Sequence, residues 1–201
     1  MAATAQSGLA RFRMILWGLV VVAAIGATLL FLLRPPAAPL AAAITPFTMQ
    51  STAGGSFTEK DLQGKPSLVF FGYTNCPDVC PTTPSDTVIW KRALGITDAD
   101  IRTIFVTVDP ARDTAEMLKS YLESFDPNVI GLVGNADQTE AAKAAFSVQS
   151  SEGEKRDDGF YLVNHTATVF LIGRDGRFEG TIAYGEASDT ATGKIKRLIS
   201  G

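Results

Sequence analysis

Residues 14–33 form a run of 20 positions with no charge and almost no polar side chain, and beyond it apolar positions come only in short clusters. A helix of that length covers the ~30 Å of hydrocarbon in a bilayer, so the run predicts one transmembrane helix. Arg11 and Arg13 precede it and only Arg34 follows closely. The preference of Lys and Arg for the cytoplasmic side then puts residues 1–13 inside and the rest of the chain in the periplasm or an equivalent extracytoplasmic space. The competing reading is a cleaved secretory signal with Ala41-Ala42-Ala43 as its small-residue site. The run exceeds the ~7–15 residues of a signal-peptide core, and Arg34-Pro35-Pro36 ends it abruptly, which favours an uncleaved anchor. Residues 34–43, rich in Pro and Ala, read as a short semi-extended linker.

The later clusters alternate in type. Residues 47–57, with Gly54-Gly55 at the centre, predict an edge hairpin. Residues 67–72 are uniformly apolar and short, as in a central strand buried on both faces. A helix is expected directly after Cys80, to about Leu94, with Pro81 and Pro84 in its first turn, where backbone N–H groups have no intrahelical partner. Residues 101–108 repeat the buried-strand pattern, and Asp113 with Glu116 reads as a reciprocal cap opening a helix to about Phe125. Residues 129–133 predict a strand, 137–146 a helix, and 150–159 a polar loop. Residues 166–172 and 177–183, joined by Arg174-Asp175-Gly176, predict a hairpin, with a last helix over 188–199. This order gives an α/β domain over residues 44–201, a thioredoxin-like fold with a mixed central sheet, preceded by one N-terminal transmembrane helix.

Composition changes this picture little. A length of 201 residues with 46% hydrophobic positions suits one domain and an appendage. A net charge of −3 and no Lys/Arg cluster exclude a phosphate-tracking surface, so no nucleic-acid partner is expected.

The chemistry concentrates in Cys76-Pro77-Asp78-Val79-Cys80, the chain's only cysteines. They fall where a strand ends and a helix begins, the usual place for ligand sites in open α/β sheets. Free N–H groups there stabilise thiolate, the form that attacks disulfides and binds metal. A purely structural Cys76–Cys80 disulfide would close too short a loop to stabilise the fold much. His165 is the only histidine. In thioredoxin-like proteins the loop at its place lies against the cysteines and usually carries a cis-proline; here Asn164-His165-Thr166 offers an imidazole. A structural zinc site normally needs four Cys/His ligands and the chain has three. Two thiolates and an imidazole suit Cu(I), or Cu(II) with an added oxygen donor, for which Asp78 and Asp109 are candidates. Met49 and Met117, both expected to be exposed, form no methionine-rich cluster.

These residues carry a resemblance. Residues 72–81 (GYTNCPDVCP), 109–114 (DPARDT) and 161–167 (YLVNHTA), with Phe47 and Asp126-Pro127 to Gly134, resemble the SCO/SenC family of copper-binding proteins required for cytochrome c oxidase assembly. The similarity covers roughly residues 44–199. It implies copper ligands at Cys76, Cys80 and His165, and a metallochaperone that passes copper to the CuA centre of an oxidase subunit, without enzymatic turnover. The alternative is a membrane-anchored thiol:disulfide oxidoreductase or redox sensor using the Cys76–Cys80 pair on that subunit's cysteines. A thiol reductase or another copper chaperone is a further expected partner. Residues 146–150 lack the tyrosines frequent at that place in the family, a departure on the partner-facing surface.

Overall fold

The computed structural model describes residues 3–32, 43–76 and 79–201, with side chains described throughout these except at 3–11, 27, 29–32 and 79–81. The chain divides into two units, residues 1–39 and 40–201.

In the first unit a helix, α1, spans Ala3–Leu32. Its described side chains include Met14, Ile15, Trp17, Leu19 and Val22, all exposed. Among the described residues no helix is long and apolar enough to cross a membrane. The described side chains of α1 run only from Phe12 through Gly26 and at Thr28, and Leu33 lies outside the description. The expected transmembrane segment is thus found as a helix but not as a membrane span, and the linker residues 34–42 also lie outside the described residues.

The second unit is a mixed seven-stranded sheet. Its strands are β1 (Thr48–Ser51), β2 (Ser56–Thr58), β3 (Ser67–Gly72), β4 (Arg102–Thr107), β5 (Ile130–Val133), β8 (Thr168–Ile172) and β9 (Phe178–Ala183). β6 (Ser150–Glu152) and β7 (Val163–His165) form a separate antiparallel pair. The order across the main sheet is β2-β1-β5-β4-β3-β8-β9, with β3, β4 and β5 parallel and the other neighbours antiparallel. The helices are α2 (Val79–Leu94), α3 (Ala115–Glu123), α4 (Ala136–Ala145) and α5 (Ser188–Ser200). This is the thioredoxin-like arrangement that the alternation of elements predicts.

The period of a strand divides the core. Leu68 and Phe70 of β3 point to one face, where they join Trp90 of α2, Leu118 and Leu122 of α3 and Ile195 of α5. Val69 and Phe71 point to the other, with Met49, Ala142 of α4, Phe146 and Val163. Burying β3 on both faces is what makes it uniformly apolar.

Five local expectations are corrected. The second helix takes in Val79 and Cys80 instead of starting after them, so Pro84 lies beyond its first turn and can donate no hydrogen bond back to the Cys80 carbonyl. The N-cap of α3 is Thr114, whose hydroxyl accepts from the Met117 N–H at 3.2 Å; Asp113 is engaged elsewhere. Part of the supposed loop 150–159 is β6, a three-residue polar strand largely exposed, which leaves no apolar alternation to read. His165 closes β7 instead of sitting in a loop before a strand that starts at 166. Met49, on the inward positions of β1, is buried, while Met117 is exposed as expected.

Candidate metal centre

β3 delivers the chain to the cysteine loop. After Gly72, Tyr73 turns inward, and its carbonyl accepts the Cys76 N–H at 3.4 Å. Tyr73 is 1% exposed, and Cys76 is half-buried against the same core cluster. Cys80 is the second residue of α2; its side chain lies outside the described residues, as do Pro77 and Asp78 in full.

His165 approaches from β7. Its ring stands edge-on to that of Tyr73, with centroids 6.0 Å apart. The Val163 N–H, on the same strand, donates to the Tyr73 hydroxyl at 3.1 Å. One tyrosine therefore touches both the loop of Cys76 and the strand of His165. His165 Nδ1 lies 3.2 Å from the Thr166 carbonyl. A carbonyl can only accept, so this bond requires the proton on Nδ1, the tautomer in which Nε2 is the basic nitrogen of the ring. Burial lowers the pKa of His165, opposed by that bond, and so favours the neutral ring that a metal needs. A groove of about 420 Å³ opens at His165, lined also by Gln149, Ser150, Ser151, Asn164 and Thr166.

The Asp109-Pro110-Ala111-Arg112-Asp113 loop, at the end of β4, braces this arrangement. Asp113 is 2% exposed and accepts from the Thr74 hydroxyl at 2.6 Å, the Thr74 N–H at 3.2 Å and the Thr107 hydroxyl at 2.5 Å. It thus ties the residue just after Tyr73 to the end of the neighbouring strand. Burial raises its pKa, against the lowering effect of those hydrogen bonds from Thr107 and Thr74. Both carboxylate oxygens of Asp109, one of the two candidate oxygen donors, are engaged. Its Oδ2 pairs with Arg112 Nε at 2.5 Å and its Oδ1 accepts the Tyr161 hydroxyl at 3.1 Å. Among the described residues no three His, Cys, Asp or Glu side chains gather into a metal-holding group. Of the candidate donors Cys76, Cys80 and His165, the Cys80 side chain lies outside that description.

The sequence pointed to Cys76, Cys80 and His165, and the structure brings the backbone segments of the first and last onto Tyr73. Sequence reasoning missed the supporting roles of Tyr73, Arg112 and Tyr161, and read Asp113 as a cap. The available signal was the density of charge and Pro at the carboxyl end of β4, beside the cysteine loop.

Comparison with known proteins places this geometry. The model of the family described as SCO1/SenC matches residues 36–200. The human mitochondrial SCO1 homolog is 36% identical over 135 residues, 66% of this chain and 45% of that protein. Mitochondrial SCO1 of Saccharomyces cerevisiae is 36% identical over 155 residues, 75% of this chain and 52% of that protein. The chain thus spans about half the length of these curated relatives. Among solved structures, Bradyrhizobium japonicum ScoI with copper bound superposes with a TM-score of 0.70 at 38% identity, over 78% of this chain and 99% of that one. Yeast Sco1 with copper bound gives a TM-score of 0.70 at 32% identity, over 78% and 88%.

Proposed function

Since the chain belongs to the SCO1/SenC family, we propose that it is a copper metallochaperone, which holds copper at Cys76, Cys80 and His165 and delivers it to the CuA centre of a cytochrome c oxidase subunit. The observation that carries this reading is the edge-on contact of His165 with Tyr73, whose carbonyl holds the Cys76 N–H. Two thiolates and a neutral imidazole are the soft, low-coordinate donor set that Cu(I) prefers. The copper-loaded relatives of similar fold support it.

Copper is the cargo. To take it, each thiol gives up its proton, and the imidazole is already neutral. The open groove at His165 offers the receiving subunit a way to the imidazole without unfolding the domain. The exposed apolar side chains of α1 and the arginines before residue 14 support an anchor with the N-terminus in the cytoplasm and the domain outside. A thiol reductase is an expected partner, because oxidation to a Cys76–Cys80 disulfide removes two electrons and two protons and with them both sulfur ligands.

The test is copper content of the full chain extracted from membranes, reduced and oxidised, with a reporter active only outside the cytoplasm fused after Gly201. The reading expects an active reporter, one copper per reduced chain and none on the disulfide form. Oxidised chain that keeps stoichiometric copper would contradict it. The thiol:disulfide oxidoreductase reading gains if reduced chain binds no copper yet exchanges disulfides readily.

A further inference from the structure

β7 carries His165 but does not belong to the seven-stranded sheet that carries the cysteine loop; among the described residues its only ladder partner is β6. The registry of His165 against Cys76 must therefore come from contacts outside the ladders. Packing of Tyr161 and Val163 into the core supplies part of it, without direction. The bond from the Val163 N–H to the Tyr73 hydroxyl is one directional tie, and a second runs through the side chain of Arg112.

Arg112, in the loop after β4, places its guanidinium 3.6 Å from the centroid of the Tyr161 ring and 5.5 Å from that of Tyr73. Its Nη1 donates to the Tyr161 carbonyl at 2.9 Å, and its Nε is anchored on Asp109. The same planar group thus touches the loop before Cys76, the segment entering β7 and the end of β4. Its Nη2, though buried, has no hydrogen-bond partner among the described residues.

We propose that Arg112 is a positioning residue of the copper site, holding the strand of His165 at the distance from Cys76 that lets both reach one ion. This rests on the copper reading above. The guanidinium acts as a clamp by shape: its fork takes the Tyr161 carbonyl and Asp109 together, and its plane lies against the Tyr161 ring. An ammonium has neither the fork nor the plane.

The experiment compares the full chain with Arg112→Met and Arg112→Lys. Two quantities are read: copper affinity by competition with a chelator, and amide hydrogen exchange of Val163 in the metal-free protein, with β4 amides as the internal reference. Both variants should bind copper roughly ten- to a hundredfold more weakly, the usual loss on removing an outer-shell partner. Both should exchange Val163 faster while β4 stays protected. Arg112→Lys carries the test alone should Arg112→Met fail to fold. Parental copper affinity with parental Val163 protection in the variants overturns the role. Full rescue by Arg112→Lys overturns it as well, because charge and not shape would then be what matters. A parent chain that binds no copper sinks the copper reading and this role together, whereas a parent that binds while both variants match it sinks this role alone.

Discussion

Burial disfavours a proton on His165 before any metal arrives, and the effect has a sign that stability measurements read. Its pKa is lowered from 6.5 by burial, so above that value neither the folded nor the unfolded state is protonated, and its contribution to stability is complete. As pH falls below it, the unfolded chain binds a proton that the buried ring resists, and stability is lost until the folded pKa is passed. The unfolding free energy of the parent minus that of His165→Gln should be flat above about pH 7 and decline toward about pH 5. A difference that stays flat across that window would show that the ring is not held neutral. At this scale the sequence made the ligands visible, because Cys and His are rare and chemically specific. Asp113 was misread for a reason of the same kind. Asp before Thr and ahead of Glu fits a capping pattern, and only the fold places Thr74 and Thr107 within reach of its carboxylate.

Elements buried on both faces, such as β3 and β4, were readable because their composition is uniform; β6 was not, because a short strand paired only at the surface needs no apolar face. Links between elements are the least visible. Lys91, near the end of α2, is buried with its Nζ 2.7 Å from Asp98 Oδ1 and 2.5 Å from Asp126 Oδ2, joining the helix to the loop that follows it and to the turn after α3. Burial would lower the pKa of Lys91, and the bonds to Asp126 and Asp98 more than offset it. Burial pushes Asp126 up, and Lys91 with the Asn128 N–H pulls it down further, to a net lowering. Lys91→Ala leaves Asp126 with an uncompensated charge and should cost about 3 kcal/mol at pH 7, whereas Lys91→Met, which fills the volume, should cost less. Because the folded pKa of Asp126 is depressed below 3.8, the pairing contributes fully above that value and is lost as pH falls through the folded pKa. Urea unfolding should therefore show the gap between parent and Lys91→Ala narrowing below about pH 4. A gap independent of pH would assign the loss to packing.

At the scale of the molecule, the site is assembled from three chain segments that meet only after folding: the loop after β3, the loop after β4 and the strand β7. Their order along the chain was plain in the sequence, but the tyrosine and arginine that join them were not, since an aromatic or basic residue in a loop has no spacing signature. Such a site exists only in the folded chain, so copper should stabilise the fold by mass action, by about 4 kcal/mol at a thousandfold excess over its dissociation constant. The most direct measurement is the copper-induced rise in melting temperature of the reduced full chain beside that of His165→Ala. The account predicts nearly equal melting without copper, a clear rise for the parent, and loss of most of that rise together with weaker binding in the variant. Equal copper affinity and an equal rise in both would show that His165 is not a ligand, and would contradict the site proposed here.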